Sequence, residues 1–359
     1  MTTVYFATNR KPLEPFQAPW YGYDSTDQTP DGLVFAEATV SGTDTGVQDS
    51  GTIDSIDNIS PGALSVASRT ALTNSTRDLL IFIHGFANSF EDAIKRAAFN
   101  RQWLEESGLP AANMDILAFT WPSSGRLISL PPDFPDRAYE DDQSRAGASG
   151  YHLGHFFNEV SNLFTGFDPT VGRRVILLAH SMGNWALQAG VEAFFFQFPP
   201  PPLSFDEVVL AAADEEATSF EAPDGKRLSR LLDMSGRISV YSNRHDIALL
   251  FSNLVNGNRR LGQDGPDEKT DTALYPPATF RSVDCSSVTD YDWFIPADAS
   301  HQYYRRSHVV RADIAQLIGG QGGTPGISSL GNGTAVAVAD AGGRIRSDLA
   351  QRTGQAPVG

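Results

Sequence analysis

Between residues 78 and 318, short runs that are apolar throughout alternate with longer amphipathic segments, and few architectures accept that order. "DLLIFIHGF" (78–86), "MDILAFTWP" (114–122), "RRVILLAH" (173–180), "FDEVVLAAAD" (205–214), "GRISVYSNRHD" (236–246) and "TFRSVDCSS" (279–287) read as strands. Their cores lack polar alternation, so both faces of each strand should be covered. Between them, "NSFEDAIKRAAFNRQWLEES" (88–107), most of 137–164 and "MGNWALQAGVEAFFFQF" (182–198) read as helices, and "VVRADIAQLI" (309–318) closes the series. Parallel strands cannot be joined by a tight turn and need a crossover, usually a helix. The pattern therefore predicts an α/β fold, with a mostly parallel central sheet and helices on both faces.

The N-terminal part is different. "TVYFATN" and "GLVFAEATV" read as strands added to the same sheet, and residues 11–75 hold a polar insertion that is a candidate lid. Residues 1–318 are expected to form a single domain. From residue 319 to 359, Gly, Ala, Ser and Thr dominate, and this tail is expected to pack poorly or to be mobile.

Composition narrows the partners. The net charge is −16, and only four of the 27 basic residues are Lys. Phosphate binding needs clustered cations, so nucleic acid is not expected as a partner. A single cysteine, Cys285, excludes an intrachain disulfide and Cys-rich zinc motifs. No basic leader precedes an apolar stretch and no apolar run reaches membrane-spanning length, so a soluble, cytoplasmic chain is expected.

The densest chemical signal is "RRVILLAHSMGNWALQAG" (173–190), where a buried strand runs into Ser181 and straight on into a helix. A nucleophile elbow holds its serine on such a turn, with small residues two before and two after it. Here those positions are Ala179 and Gly183, the alanine standing where glycine is usual. Ser181 would also meet the positive end of the following helix. The competing reading, a serine that merely caps the helix, is common.

Three further positions bear on that choice. "IFIHGFANSF" (81–90) ends a strand in His-Gly, where the backbone N–H of Phe86 can serve as one oxyanion donor and that of Met182 as the second. Such donors contribute roughly 3 kcal/mol each to transition-state stabilisation. His84 is expected only to brace this loop. With the order serine, acid, histidine, His84, His152, His155 and His180 drop out as base, and His245 adjoins the acid. His301 in "DASHQYYRR" is favoured over His308, which opens a helix. Asp246, at the end of its strand, is favoured as the acid over Asp214, one strand earlier. Trp121 follows a strand end and is a candidate pocket wall.

Weaker signals receive bland readings. His152 and His155 share helical spacing without a carboxylate to complete a metal site, so no metal is expected. Asp141 and Asp142 are expected to face solvent. "FFFQF" (194–198) is expected to be helix packed on the sheet, not a lipid anchor.

With these residues in place, the chain resembles the α/β-hydrolases. More narrowly, it is similar to the bacterial α/β-hydrolase family of unknown function numbered nine hundred, described as esterase/lipase-like. The matching pieces are "YFATNRKP", "IFIHGFANSFEDAIKRAA", "FTWPSSG", "ILLAHSMGNWAL", "VVLAAADEEATSF", "VYSNRHDIALLFS", "RLG" (260–262) and "HQYY" (301–304), in order across residues 4–318. The resemblance implies an α/β-hydrolase fold with Ser181, Asp246 and His301 as triad. The chain departs from the family in Ala-Asp-Glu after "VVLAA" and in the insertion near 41–75. The expected activity is hydrolysis of carboxylic esters, with a small acyl ester as substrate and no cofactor. A thioesterase or acyltransferase would use the same triad, and a binding module would keep the fold without it.

Overall fold

In the computed structural model, residues 1–14, 16, 22–29, 32–44, 50–109, 114–124, 136–198, 205–222, 227–290, 300–320, 326–331 and 334–336 are described. The backbone is an eleven-stranded sheet in the order β13-β12-β11-β10-β9-β8-β6-β7-β1-β4-β5. These strands are β1 (Thr2–Thr8), β4 (Val34–Ser41), β5 (Thr52–Pro61), β6 (Asp78–Ile83), β7 (Met114–Thr120), β8 (Val175–His180), β9 (Glu207–Ala211), β10 (Ile238–Ser242), β11 (Phe280–Ser287), β12 (Gly326–Gly331) and β13 (Thr334–Val336). The run from β12 to β1 is parallel throughout. Strands β4, β5 and β13 are antiparallel additions at the two ends. A separate hairpin pairs β2 (Arg10–Pro12) with β3 (Tyr23–Gln28).

The uniformly apolar strands are buried on both faces, as their sequences require. On β6, Leu79, Ile81 and Ile83 join one core with Leu153, Phe156 and Phe157 of α4 (Gly150–Phe164) and Leu187 of α5 (Gly183–Gln197). Leu80 and Phe82 join the other, with Ile94 and Trp103 of α2 (Phe90–Glu106) and Ile314 of the C-terminal helix His308–Ile318. The capping box of Ser89 and Asp92 fixes where α2 begins. The segment read as one helix over 137–164 is two, α3 (Asp136–Ala148) and α4, joined at Ser149.

Several elements depart from the sequence expectations. Within residues 11–75, β5 is the outermost strand beyond β4, and α1 (Val66–Asn74) packs on α4. The segment expected to be a loose tail contributes β12, which extends the parallel sheet beside β11. Residues 337–359 lie outside the described residues. Asp142 does not face solvent. It is fully buried and accepts from Ser123 Oγ at 2.7 Å and from Arg145 at 2.7 Å. Among the described residues, no helix is long and apolar enough to cross a membrane.

Candidate active site

Strand β8 ends at His180, and Ser181 turns the chain into α5 with φ at +55°, a left-handed conformation that costs a non-glycine residue energy. The surroundings over-determine it. Ser181 donates its N–H to Ala211 O at 3.0 Å, and its carbonyl accepts from Asn184 N, Asn184 Nδ2 and Asp214 N at 3.0, 3.0 and 3.1 Å. Asn184 is fully buried and also reaches Ala179 O. Gly183 is required here by close approach, because a Cβ would lie 2.5 Å from His84 O and 2.7 Å from Ile83 O. Those are backbone atoms of the neighbouring strand, and they cannot swing aside.

His301 and Asp246 meet each other, and His301 lies against His180, the residue before Ser181. His301 Nδ1 lies 2.7 Å from Asp246 Oδ2. Asp246 is fully buried, and its other oxygen caps α6 (Ile247–Asn256) by accepting from Leu249 N at 3.1 Å. The carboxylate is therefore fixed by a helix on one oxygen and by an imidazole on the other. Burial pushes its pKa up, and the facing His301 opposes that shift. His180, set aside as base, lies against His301 with ring centroids 4.8 Å apart. Burial, and then the nearby His301, hold the His180 pKa well below its usual value, so the ring is neutral. Its Nε2 then carries hydrogen and donates to His301 O at 3.2 Å, fixing the backbone of that residue.

The loop after β6 is also held from behind. The Gly85 carbonyl accepts from His84 Nδ1 at 2.8 Å and Asn88 Nδ2 at 2.9 Å, and Phe86 O accepts from Asn88 Nδ2 at 2.8 Å. In a trans peptide the C=O and the next N–H point in opposite directions. Anchoring Gly85 O thus aims the Phe86 N–H the other way. Gly85 itself packs on the elbow, where an added Cβ would lie 2.7 Å from Ser181 Cβ.

His84 is buried and neutral, its pKa depressed chiefly by desolvation. Its Nε2 accepts from Trp121 N at 3.1 Å, and the two rings stack at 5.0 Å. Trp121, expected at a pocket wall, is instead fully buried behind this histidine and returns a bond from Nε1 to His84 O at 2.9 Å. Arg10 completes the support. Fully buried, it donates to Asn88 O at 2.8 Å, Thr120 Oγ1 at 2.9 Å and Ser123 O at 3.4 Å.

Asp214 is engaged elsewhere. It accepts from Tyr139 at 2.8 Å and from Ser252, and pairs with the buried Arg260 at 3.4 Å. His245 and His308 are exposed. His152 lies 3.4 Å from the Asn9 amide, and His155 packs on Tyr151 and Phe198. Among the described residues, no cluster of His, Cys, Asp and Glu suits a metal ion.

Sequence reasoning missed Arg10, Asn88, Asn184 and His180 as parts of this site. Asn88 carried a signal, since Asn in a short loop of small residues often bonds neighbouring backbone. Arg10 carried none from chemistry, because an arginine at a strand end ordinarily reads as surface.

Comparison with curated proteins finds no match. Among solved structures, a phospholipase, PlaB from Legionella pneumophila in complex with thio-NAD, is 15% identical, with a TM-score of 0.23. The alignment covers 60% of this chain and 39% of that one, so the chain spans well under half of its length. The model of a family described as alpha/beta hydrolase of unknown function, DUF900, matches residues 64–320. That span holds β6 to β11, the elbow and both partners of the His301–Asp246 bond, and the chain belongs to this family.

Proposed function

We propose that the protein hydrolyses carboxylic esters through an acyl-enzyme formed on Ser181. The observation that carries this reading is the 2.7 Å bond between His301 and a buried Asp246, beside a serine held at positive φ. With Nδ1–H donating to Asp246, His301 Nε2 carries the lone pair that takes the Ser181 hydroxyl proton. The serine oxygen attacks the ester carbonyl, and the resulting oxyanion accepts from the N–H groups of Phe86 and Met182. Collapse breaks the bond to the alkoxy oxygen, which leaves as the alcohol with the proton from His301. Water then gives a proton to His301 and attacks the acyl-enzyme, releasing the acid and restoring Ser181. Apart from the ester and the water, every group in this cycle belongs to the chain.

The test is turnover of p-nitrophenyl esters from acetate to palmitate, with Ser181→Ala in parallel. Loss of turnover in the variant is expected, and the chain-length optimum sizes the acyl pocket. Equal rates for both proteins across the series would refute the proposal.

A further inference from the structure

Helix α6 presents its apolar side to solvent. Its inner face places polar groups against the body of the protein: Ser252 donates to Asp214, Asn253 to Gln263 at 3.2 Å and Asn256 to Tyr139 at 3.1 Å. Leu249 is buried on that side, and Val255 packs on the core. Outward, Leu250 is 50% and Leu254 71% exposed. Ile247, partly buried, completes the i, i+3, i+7 spacing of one helical stripe. A surface helix ordinarily turns such a stripe toward the core.

The helix itself also carries no charged side chain. Residues 247–258 contain no Asp, Glu, Lys or Arg. The arginines at its two ends are paired within the chain, Arg244 with Asp284 and Arg259 with Asp264 and Asp267. An uncharged apolar stripe on a chain of net charge −16 complements a neutral apolar phase and is repelled by an anionic one. A second copy of the chain would bring the same charge. It would also find too little to grip, since a stable interface buries about 800 Å² and about 20–30 residues a side, far more than one helical stripe offers. A lipid surface has no such minimum, because its binding grows with each apolar side chain inserted.

Position supplies the last step. The stripe begins directly after Asp246, whose carboxylate holds His301. We propose that the Ile247–Leu250–Leu254 ridge docks on an uncharged lipid–water interface and brings the Ser181 site to esters held there. The docking itself is independent of the esterase reading, whereas the delivery of substrate rests on it.

The experiment is sedimentation of the full chain with phosphatidylcholine vesicles, for the wild type, Ser181→Ala and the double variant Leu250→Gln/Leu254→Gln. Phe196→Gln is the control, since Phe196 is 91% exposed at the far end of α5, about 20 Å from the elbow. Wild type, Ser181→Ala and Phe196→Gln are expected to bind alike. The double variant should lose about a hundredfold in partitioning, about tenfold for each leucine. It should keep wild-type turnover of dissolved p-nitrophenyl butyrate but lose turnover of a long-chain ester dispersed in the vesicles. No binding by the wild type, or equal binding by the double variant, would overturn the docking. So would a wild-type dimer that the double variant dissolves. If Ser181→Ala still hydrolysed the dissolved ester, the esterase reading alone would fail and the binding result would stand.

Discussion

Replacing Asn88 with alanine isolates what orients the Phe86 N–H. The substitution deletes the Nδ2 donor to Gly85 O and Phe86 O, at 2.9 and 2.8 Å, and leaves the His84 bond to Gly85 O. It keeps the backbone bonds of residue 88 to Ser123 and Arg10. Each lost bond is worth about 1 kcal/mol net, so the preference for the present conformation of the loop, Gly85–Phe86 peptide included, falls by about 2 kcal/mol. Loss of one oxyanion donor outright costs roughly 3 kcal/mol. The turnover number should therefore fall between about 30-fold and about 150-fold. KM should stay within about threefold, because the donor acts mainly on the charge that develops in the transition state. Asn88→Asp, nearly the same size, places acceptor oxygens against two carbonyls and should fall further than alanine. Steady-state kinetics on p-nitrophenyl butyrate, with circular dichroism melting to confirm folding, reads both variants. A kcat for Asn88→Ala within about threefold of wild type would refute the role assigned to this peptide.

Further outcomes follow from the same geometry. Asp246→Asn should lower kcat by about 10³-fold or more through the wrong His301 tautomer. Its melting temperature should barely change, because the amide oxygen still caps α6. Gly85→Ala should both inactivate and destabilise, since its methyl group would lie 2.7 Å from Ser181 Cβ and 3.0 Å from His180 O; unchanged kinetics would contradict the packing. Burial pushes the Glu215 carboxyl from 4.5 up to about 8. The folded chain then keeps a proton that the unfolded chain releases, so the contribution is full below about 4.5 and is lost as pH rises toward about 8. The slope reaches about 1.4 kcal/mol per pH unit. Melting temperature against pH should be flatter across that window in Glu215→Gln, and parallel curves would argue against the shift.

What the sequence made legible followed from periodicity and from steric demand. Apolar strands such as "DLLIFI" admit only a two-sided burial, and the small Gly183 after Ser181 admits only a tight crossing of helix and strand. The pairing of His301 with Asp246 was reachable from chain order together with their places in a loop and at a strand end. Three features were not. Helix α6 was obscured because its apolar stripe faces solvent, so no core-facing pattern marked it. Asp142 read as surface because its partners, Ser123 and Ser124, come from a loop 18 to 19 residues away. Strand β12 was lost in a segment whose Gly and Ser content suits loops, and its pairing depends on the exposed edge of β11.

The support of the loop after β6 shows why such residues escape local reading. The family match begins at residue 64, yet the Asn88 carbonyl is held by Arg10. Strand β1 lies between β7 and β4, and Thr8 Oγ1 donates to Thr120 O at 3.0 Å, which carries the chain to Arg10 in register with the end of β7. There Arg10 Nε meets Thr120 Oγ1, while its Nη2 reaches across to the loop after β6. Burial disfavours the guanidinium charge, and Asp142, Asp24 and Asp92 oppose that penalty from three separate segments. A buried cation whose compensation is so dispersed is costly to assemble and costly to remove, since each acceptor it leaves behind would be stranded away from water. The added N-terminal strand is thus more than an edge extension. It delivers Arg10, at the start of β2, as the donor that ties the loop after β6 to the loop after β7, on the edge of the sheet where Ser181 turns.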